Sequence, residues 1–534
     1  MIELYSFLLA VALNPMAIQG DWPLTRAERT DYRETSTLAD VAAFLDGLKA
    51  RGAPIGVQTI GQTAGGRPIL LALASRPSSI TPEQARAAGK VVVYVQANIH
   101  GGEVEGKEAA QALLRDVATN RDGASALLDR LVLLVCPVYN ADGNEAFGDG
   151  AVLRPSQNGP ARVGRRPNAD AIDLNRDAVK AEAPETRAVL EQVYRAWEPD
   201  VVLDLHTTNG TRHGYVLTYS PPLNPNADPG VQTFARESLL PAVRARLKRE
   251  HGWSTFDYGN VETRDGREAW YTFGQEGRYV TNYVGLRNRI GILSEAASFQ
   301  PFRLRVESTL GFVRSVLDEV ATRADEVIQI TRKADRALAE RTGVRARGVR
   351  FEFTPREGTE PIPLESLPEG VKADHRQAPD PSTLAVTPLP VFDRFRPTRE
   401  ATLPAAYLLP PKAEATLTLL TRHGIAVDRL DRPWKGTAQV FVIAERVTAR
   451  QAFQGGRLTR LEGRFETRAV EAPAGWSLVR TSQPLGLLAF HLLEPESLDG
   501  AAAWGFLEGT FESPGDYPVW KLDSTAAPSV ETLP

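Results

Sequence analysis

Apolar residues follow two alternating rhythms through the first two-thirds of this chain. Compact runs of β-branched and aliphatic residues at 91–95 (VVVYV), 131–138, 201–205 and 289–293 read as buried strands. Between them, Leu38, Val41, Phe44, Leu45 and Leu48 recur at helical spacing and predict an amphipathic helix over residues 36–50. Further helices are predicted from about Glu105 to about Thr119, over 231–249, and in one long stretch from Phe302 to about Arg341. Residues 56–75 predict a hairpin turning at Ala64, Gly65 and Gly66. Strands alternating with helices, and polar residues gathering just past the strand ends, predict an α/β sheet with its functional edge at the strands' C-terminal ends.

The rhythm then breaks, which divides the chain. Residues 21–341 read as one catalytic region, 342–402 as a Pro- and charge-rich connector, and 403–534 as a β-rich C-terminal domain. Strand-like runs at 440–447 and 515–522 suggest a β-sandwich there, with structural support its default role. Residues 1–20 hold an apolar stretch, Leu4 to Leu13, with the length of a signal-peptide core and too short to span a bilayer. Glu3, with no Lys or Arg before it, runs against a standard leader. Read as a signal peptide, the segment means export to the periplasm or the medium; read as an N-terminal helix, it leaves the protein cytoplasmic.

Composition narrows the function classes. A hydrophobic share of 42% and a charged share of 24% describe an ordinary globular protein with ample core material. The net charge of -4 gives no reason to expect nucleic acid, and no run is long enough for a transmembrane helix, so no membrane partner is expected. Cys136 is the single cysteine, which precludes an intrachain disulfide; its run LVLLVCPVY marks it as a buried hydrophobe.

Chemistry concentrates at strand ends. The 91–95 strand leads into His100, Gly101, Gly102 and Glu103, where the glycines allow the backbone to fold both side chains toward one point. His206 ends another strand, VVLDLH. A His/Glu pair from one strand end and a His from a second make a His₂Glu zinc site with a position left open, one ion per chain. His213 competes for the third place but lies further into its loop. Glu295 ends a further strand, where a carboxylate is poorly placed for a core.

Taken in order, HGGE (100–103), PVYNADG (137–143), DLNRD (173–177), His206 and Glu295 in GILSEAASF resemble the M14 family of zinc carboxypeptidases, over roughly residues 35–340. The resemblance implies a mixed central sheet flanked by helices, and zinc on His100, Glu103 and His206. It implies Glu295 as general base, Asn175 and Arg176 as the pair that binds a substrate's terminal carboxylate, and Asp173 as the carboxylate orienting the first ligand histidine. Asp204 shares its strand face with His206 and is a candidate for the same task. An arginine that steadies the oxyanion belongs upstream of DLNRD; Arg162, Arg165 and Arg166 all qualify, with Arg166 favoured. For the tyrosine before the base, Tyr271, Tyr279 and Tyr283 are candidates, and Tyr283 is carried as the substrate-binding one. The expected partner is a peptide or peptide-like substrate with a free C-terminal carboxylate. Competing readings are a zinc amide deacylase acting on N-acyl amino acids or cell-wall-derived peptides, and a non-catalytic binding protein.

Overall fold

A computed structural model describes residues 22–340, 345–368, 370–523 and 530–532. The segment expected as a leader lies outside the described residues. Eight strands form the principal sheet: β1 (Ile55–Gln62), β2 (Pro68–Ala74), β3 (Val91–Ala97), β4 (Leu131–Cys136), β5 (Val201–Thr207), β6 (Leu217–Ser220), β7 (Thr255–Asp257) and β8 (Ile290–Ala296). Their spatial order is β1-β2-β4-β3-β5-β8-β6-β7. The central β4, β3, β5 and β8 run parallel, and antiparallel strands flank them, so the sheet is mixed.

Every residue of β3, β4, β5 and β8 is buried, as expected of parallel strands covered on both faces. The covering helices include α1 (Leu38–Ala50), α2 (Glu105–Thr119), α3 (Leu240–His251), α4 (Val280–Leu286), α5 (Phe302–Thr322) and α6 (Ala324–Ala339). Helix α1 starts at Thr37, whose hydroxyl accepts from Asp40 N at 3.1 Å while Asp40 accepts from Thr37 N at 3.0 Å, a reciprocal cap. The long C-terminal helix predicted from Phe302 is two helices, interrupted at Arg323. The order of the sheet reverses around β3, because the chain leaves it toward β4 on one side and reaches β5 on the other. A crevice opens at such a point beyond the strands' C-terminal ends.

The span 342–402, expected as a connector, carries strands. Arg345–Pro355 pairs antiparallel with Val391–Leu403, which pairs in parallel with Arg267–Tyr271 through Trp270 and Tyr271. The hairpin of Glu360–Glu365 and Leu384–Leu389 packs over the loop after β5: Gly214 N donates to Pro363 O at 2.8 Å, and Arg212 pairs with Glu365 at 2.5 Å.

The C-terminal region is β-rich but is not a sandwich. Its strands form one antiparallel sheet, and the layer against it is helical. Helix Gly486–Leu493 (GLLAFHLL) is buried along its whole length, which a sandwich reading of the strand pattern does not foresee. One continuous apolar core joins this helix and Leu419, Leu420 and Tyr407 to Val280, Tyr283 and Leu286 of α4 and to β3 and β4. Removing residues 403–534 would expose that shared core to water, at about 25 cal/mol per Å² of apolar surface. Such a truncation is expected to yield no soluble folded protein; a cooperative thermal transition and native circular dichroism from residues 22–402 alone would contradict the shared-core account.

Candidate metal centre and substrate cleft

The loop after β3 is shaped by Asn98, whose φ of 60° lies in the left-handed region that Asn tolerates better than most residues. Its side-chain amide donates to Glu103 O at 2.9 Å and to His100 O and Gly101 O at 3.3 Å each, curling the loop about itself. Gly101 is required for another reason than the one its sequence suggests. A Cβ there would stand 2.2 Å from the Gly143 carbonyl carbon and 2.5 Å from Arg165 O, so close backbone approach, not turn geometry, demands glycine.

Through this loop the inward nitrogens of two histidines meet one carboxylate. His100 Nδ1 lies 3.0 Å from Glu103 Oε1, and His206 Nδ1 lies 2.9 Å from Glu103 Oε2. One ligating atom from each residue lies within 4.8 Å of the others. The outward nitrogens are also held by carboxylates: His100 Nε2 lies 3.0 Å from Asp173 Oδ1, and His206 Nε2 lies 2.8 Å from Asp204 Oδ2. Gln96 donates to the other Asp204 oxygen at 2.9 Å, across the β3–β5 register. All three inner side chains are buried, and His100 Nδ1 has no hydrogen-bond partner. A buried imidazole nitrogen without a partner, facing a carboxylate and a second imidazole, is the donor set of a zinc ion with an open position. The residues fit the metal.

Charge within the cluster is strongly biased. Burial pushes the Glu103 carboxyl up, but His100, Arg154 and the histidine contacts more than offset this and hold it well below the usual range. For His206 burial favours the neutral ring, yet Asp204 and Glu103 raise it well above an ordinary histidine. Burial first, and the Glu103 charge after it, push Glu295 up to about 8 against the opposing pull of His206, Arg154 and Arg166. Glu295 sits opposite His206 in the β5–β8 register, and its Oε2 is buried without a partner.

One cleft is lined by His100, Glu103, His206, Glu295, Arg166, Asn175 and Arg176. Asp173 stands behind it, accepting from Arg166 Nε at 2.9 Å. Of the three candidate arginines, Arg162 and Arg165 are exposed, whereas Arg166 reaches to 3.5 Å from Glu103. The Arg176 guanidinium lies 4.5 Å from the Tyr279 ring centroid and donates to Asn175 O at 2.7 Å; among the described residues no carboxylate forms an ion pair with it, although its charge is felt at Asp173. His213 is excluded from the metal set: its ring packs on Tyr215, Trp270 and Phe299, and burial pushes its pKa down to about 4.

Tyr283 is not in the cleft, which corrects its assignment to substrate binding. It sits inside α4, turned toward the C-terminal region, with its hydroxyl 2.8 Å from His423 Nδ1 and accepting from Arg287 at 3.0 Å. Tyr271 stacks on Phe392 instead. Tyr279, just before the helix begins and extended in backbone, lines the cleft with Tyr258. Two participants escaped the sequence reading. Tyr258 follows a short strand and carries no motif. Arg154, in the unremarkable run LRPSQNG, lies 3.1 Å from Glu103 and donates to Thr207 O at 3.1 Å.

Residues 41–288 match the model of the zinc carboxypeptidase family. The chain carries a zinc carboxypeptidase domain. Zinc dependence and peptide hydrolysis are properties of that family, and the protein is an enzyme of this kind. Curated relatives include carboxypeptidase 2 of Trichophyton tonsurans, 25% identical over 452 residues that cover 81% of this chain and 77% of that protein. Carboxypeptidase 2 of Trichophyton rubrum is 25% identical over 475 residues, covering 84% and 79%. Among solved structures, a metallo-carboxypeptidase from Burkholderia cenocepacia is 18% identical with a TM-score of 0.42, over 54% of this chain and 70% of that one. A metallo-carboxypeptidase from Pseudomonas aeruginosa, solved with (2-guanidinoethylmercapto)succinic acid, is 21% identical with a TM-score of 0.38, covering 53% and 69%. No helix among the described residues is long and apolar enough to cross a membrane.

Elemental analysis of the purified protein beside His206→Ala is expected to find about one zinc per chain in the wild type and a sharp loss in the variant. Equal zinc in both would remove His206 from the ligand set.

Proposed function

We propose that this enzyme removes the C-terminal residue of a peptide, and that Arg176 and Asn175 select for its free carboxylate. The observation that carries the reading is the Arg176 guanidinium, which shares a cleft with the His100, Glu103 and His206 cluster and has no carboxylate partner among the described residues. A planar fork of this kind takes a carboxylate through two parallel hydrogen bonds. Tyr279 backs it from one side with a ring face, which favours a cation and limits where it turns. Asn175 adds a donor from the same turn, its Oδ1 being engaged by Val280 N at 3.1 Å.

His100, Glu103 and His206 would hold a zinc ion, which would supply a Lewis acid for the scissile carbonyl and lower the pKa of a water. Asp173 accepts from His100 Nε2 and so leaves Nδ1 of that ring as the donor toward that ion, and Asp204 Oδ2 lies 2.8 Å from His206 Nε2 on the corresponding side of the second ring. Glu295 takes the proton of the attacking water at Oε2 and delivers it to the leaving amine. Burial raises its affinity for a proton above that of a surface glutamate, while the charges of His206, Arg154 and Arg166 pull toward the ionised form that a base requires. Arg166, braced by Asp173, steadies the oxyanion that develops on the carbonyl oxygen.

Glu295→Gln removes the base while keeping size and is expected to lower kcat by about 10²- to 10⁴-fold with zinc content unchanged. Amidating the C-terminus of a good substrate is expected to abolish cleavage, read by mass spectrometry of the products. Cleavage of the amide at the rate of the free acid would overturn the terminal-carboxylate reading.

A further inference from the structure

The segment that carries Asn175 and Arg176 is tied to a hairpin tip far downstream. Gln454, in the loop between Trp434–Thr448 and Thr459–Ala472 of the C-terminal sheet, accepts from Asp173 N through its side-chain Oε1 at 2.9 Å. Its own backbone carbonyl accepts from Lys180 Nζ at 3.0 Å. One residue therefore grips both ends of the stretch 173–180. Gln454 adopts a φ of 50°, uncommon for a residue with a long side chain, and the Phe453 and Gly456 backbones close the turn around it by mutual hydrogen bonds of 2.7 and 3.2 Å.

A second tie holds the other wall of the same pocket. Arg278 N donates to the buried Asp499 carboxylate at 2.6 Å, and the Arg278 side chain pairs with that carboxylate at 3.1 Å. Trp504 Nε1 fixes Asp499 in turn at 2.9 Å. The Arg278 guanidinium lies over both Phe453 and Trp504, so the two ties share one aromatic platform. The residue after Arg278 is Tyr279, whose ring meets Arg176.

We propose that Gln454 and Asp499 are positioning residues for the terminal-carboxylate clamp: the C-terminal domain sets the distance between the Arg176 turn and the Tyr279 wall. The inference rests on reading Arg176 and Asn175 as that clamp. Neither residue lines the cleft, so each acts through the segment it holds. The physical logic is that of a supporting shell. A guanidinium on a loop binds a carboxylate well only when its own freedom has already been removed, and polar ties from a separate sheet remove it.

The test compares Gln454→Ala, Asp499→Asn, Arg176→Ala and the double variants Gln454→Ala/Arg176→Ala and Asp499→Asn/Arg176→Ala in the full-length zinc-loaded enzyme. Steady-state kinetics on a peptide with a free terminal carboxylate are read beside zinc content and thermal unfolding. Gln454→Ala alters a half-buried hairpin tip, and the fold should tolerate it even where Asp499→Asn does not. Gln454→Ala, which removes the bond to Asp173 N and keeps the backbone bond from Lys180, and Asp499→Asn are each expected to raise KM about five- to tenfold, and Arg176→Ala by more, with kcat and zinc content little changed in the two positioning variants. In the Arg176→Ala background the same changes are expected to add nothing to KM, because the group they position is gone. An unchanged KM in both variants, or a KM effect that persists undiminished without Arg176, would overturn the proposal. Arg176→Ala with normal KM would overturn the clamp reading itself, and the positioning role with it.

Discussion

A single carboxylate shared between two imidazoles is the constraint on which the rest of the site depends. Glu103 is buried, and an ionised carboxylate taken out of water costs several kcal/mol unless its charge is met. His100 and His206 meet it from two strand ends, and Arg154 approaches the same group at 3.1 Å. Two imidazoles and an ionised carboxylate converging in a buried site are also the donor set that suits a divalent cation. The arrangement fixes the fold locally, because β3 and β5 must lie adjacent and in register for the two histidines to converge.

Around that centre a second layer of carboxylates removes the remaining freedom of the rings. Asp173 and Asp204 each occupy an outward nitrogen, and both are themselves restrained: Asp173 by Arg166 and by the Asn175 backbone, Asp204 by Gln96. Below the loop, Glu105 accepts from the Thr207 hydroxyl and pairs with the fully buried Arg305 at 3.4 Å. Arg305 donates to Asn158 O and Gly159 O at 2.7 Å each, anchoring the stretch that delivers Arg154. The polar network is continuous from the α5 interior to the cleft, which favours a preorganised site over one assembled on binding.

The C-terminal region belongs to this arrangement in two ways. Its apolar helix completes the core beneath α4, and its polar residues reach back to the stretches 173–180 and 276–280. Tyr283 and His423 illustrate the first: their contact joins elements remote in sequence, and neither residue lines the cleft.

The sequence by itself determined the four central strands, read at 91–95, 131–138, 201–205 and 289–293 and found at 91–97, 131–136, 201–207 and 290–296, the helix from Glu105, and the place of His100, Glu103, His206 and Glu295 at or just past strand ends. Burial on both faces leaves an uninterrupted apolar run, and a polar residue ending such a run has few reasons to be there except chemistry. The sequence reading favoured Arg166 among three arginines and carried Tyr283 as the substrate tyrosine; Arg166 lines the cleft and Tyr283 does not. Tyr279 and Tyr283 are four residues apart in similar surroundings, and only the start of α4 between them turns one toward the cleft and the other toward His423. Arg154 has no local signal at all, and Gln454 stands in a loop whose sequence says only that it turns. Their placement arises from contacts across long stretches of chain, where no periodicity or spacing operates and only the packed tertiary structure decides which side chains meet.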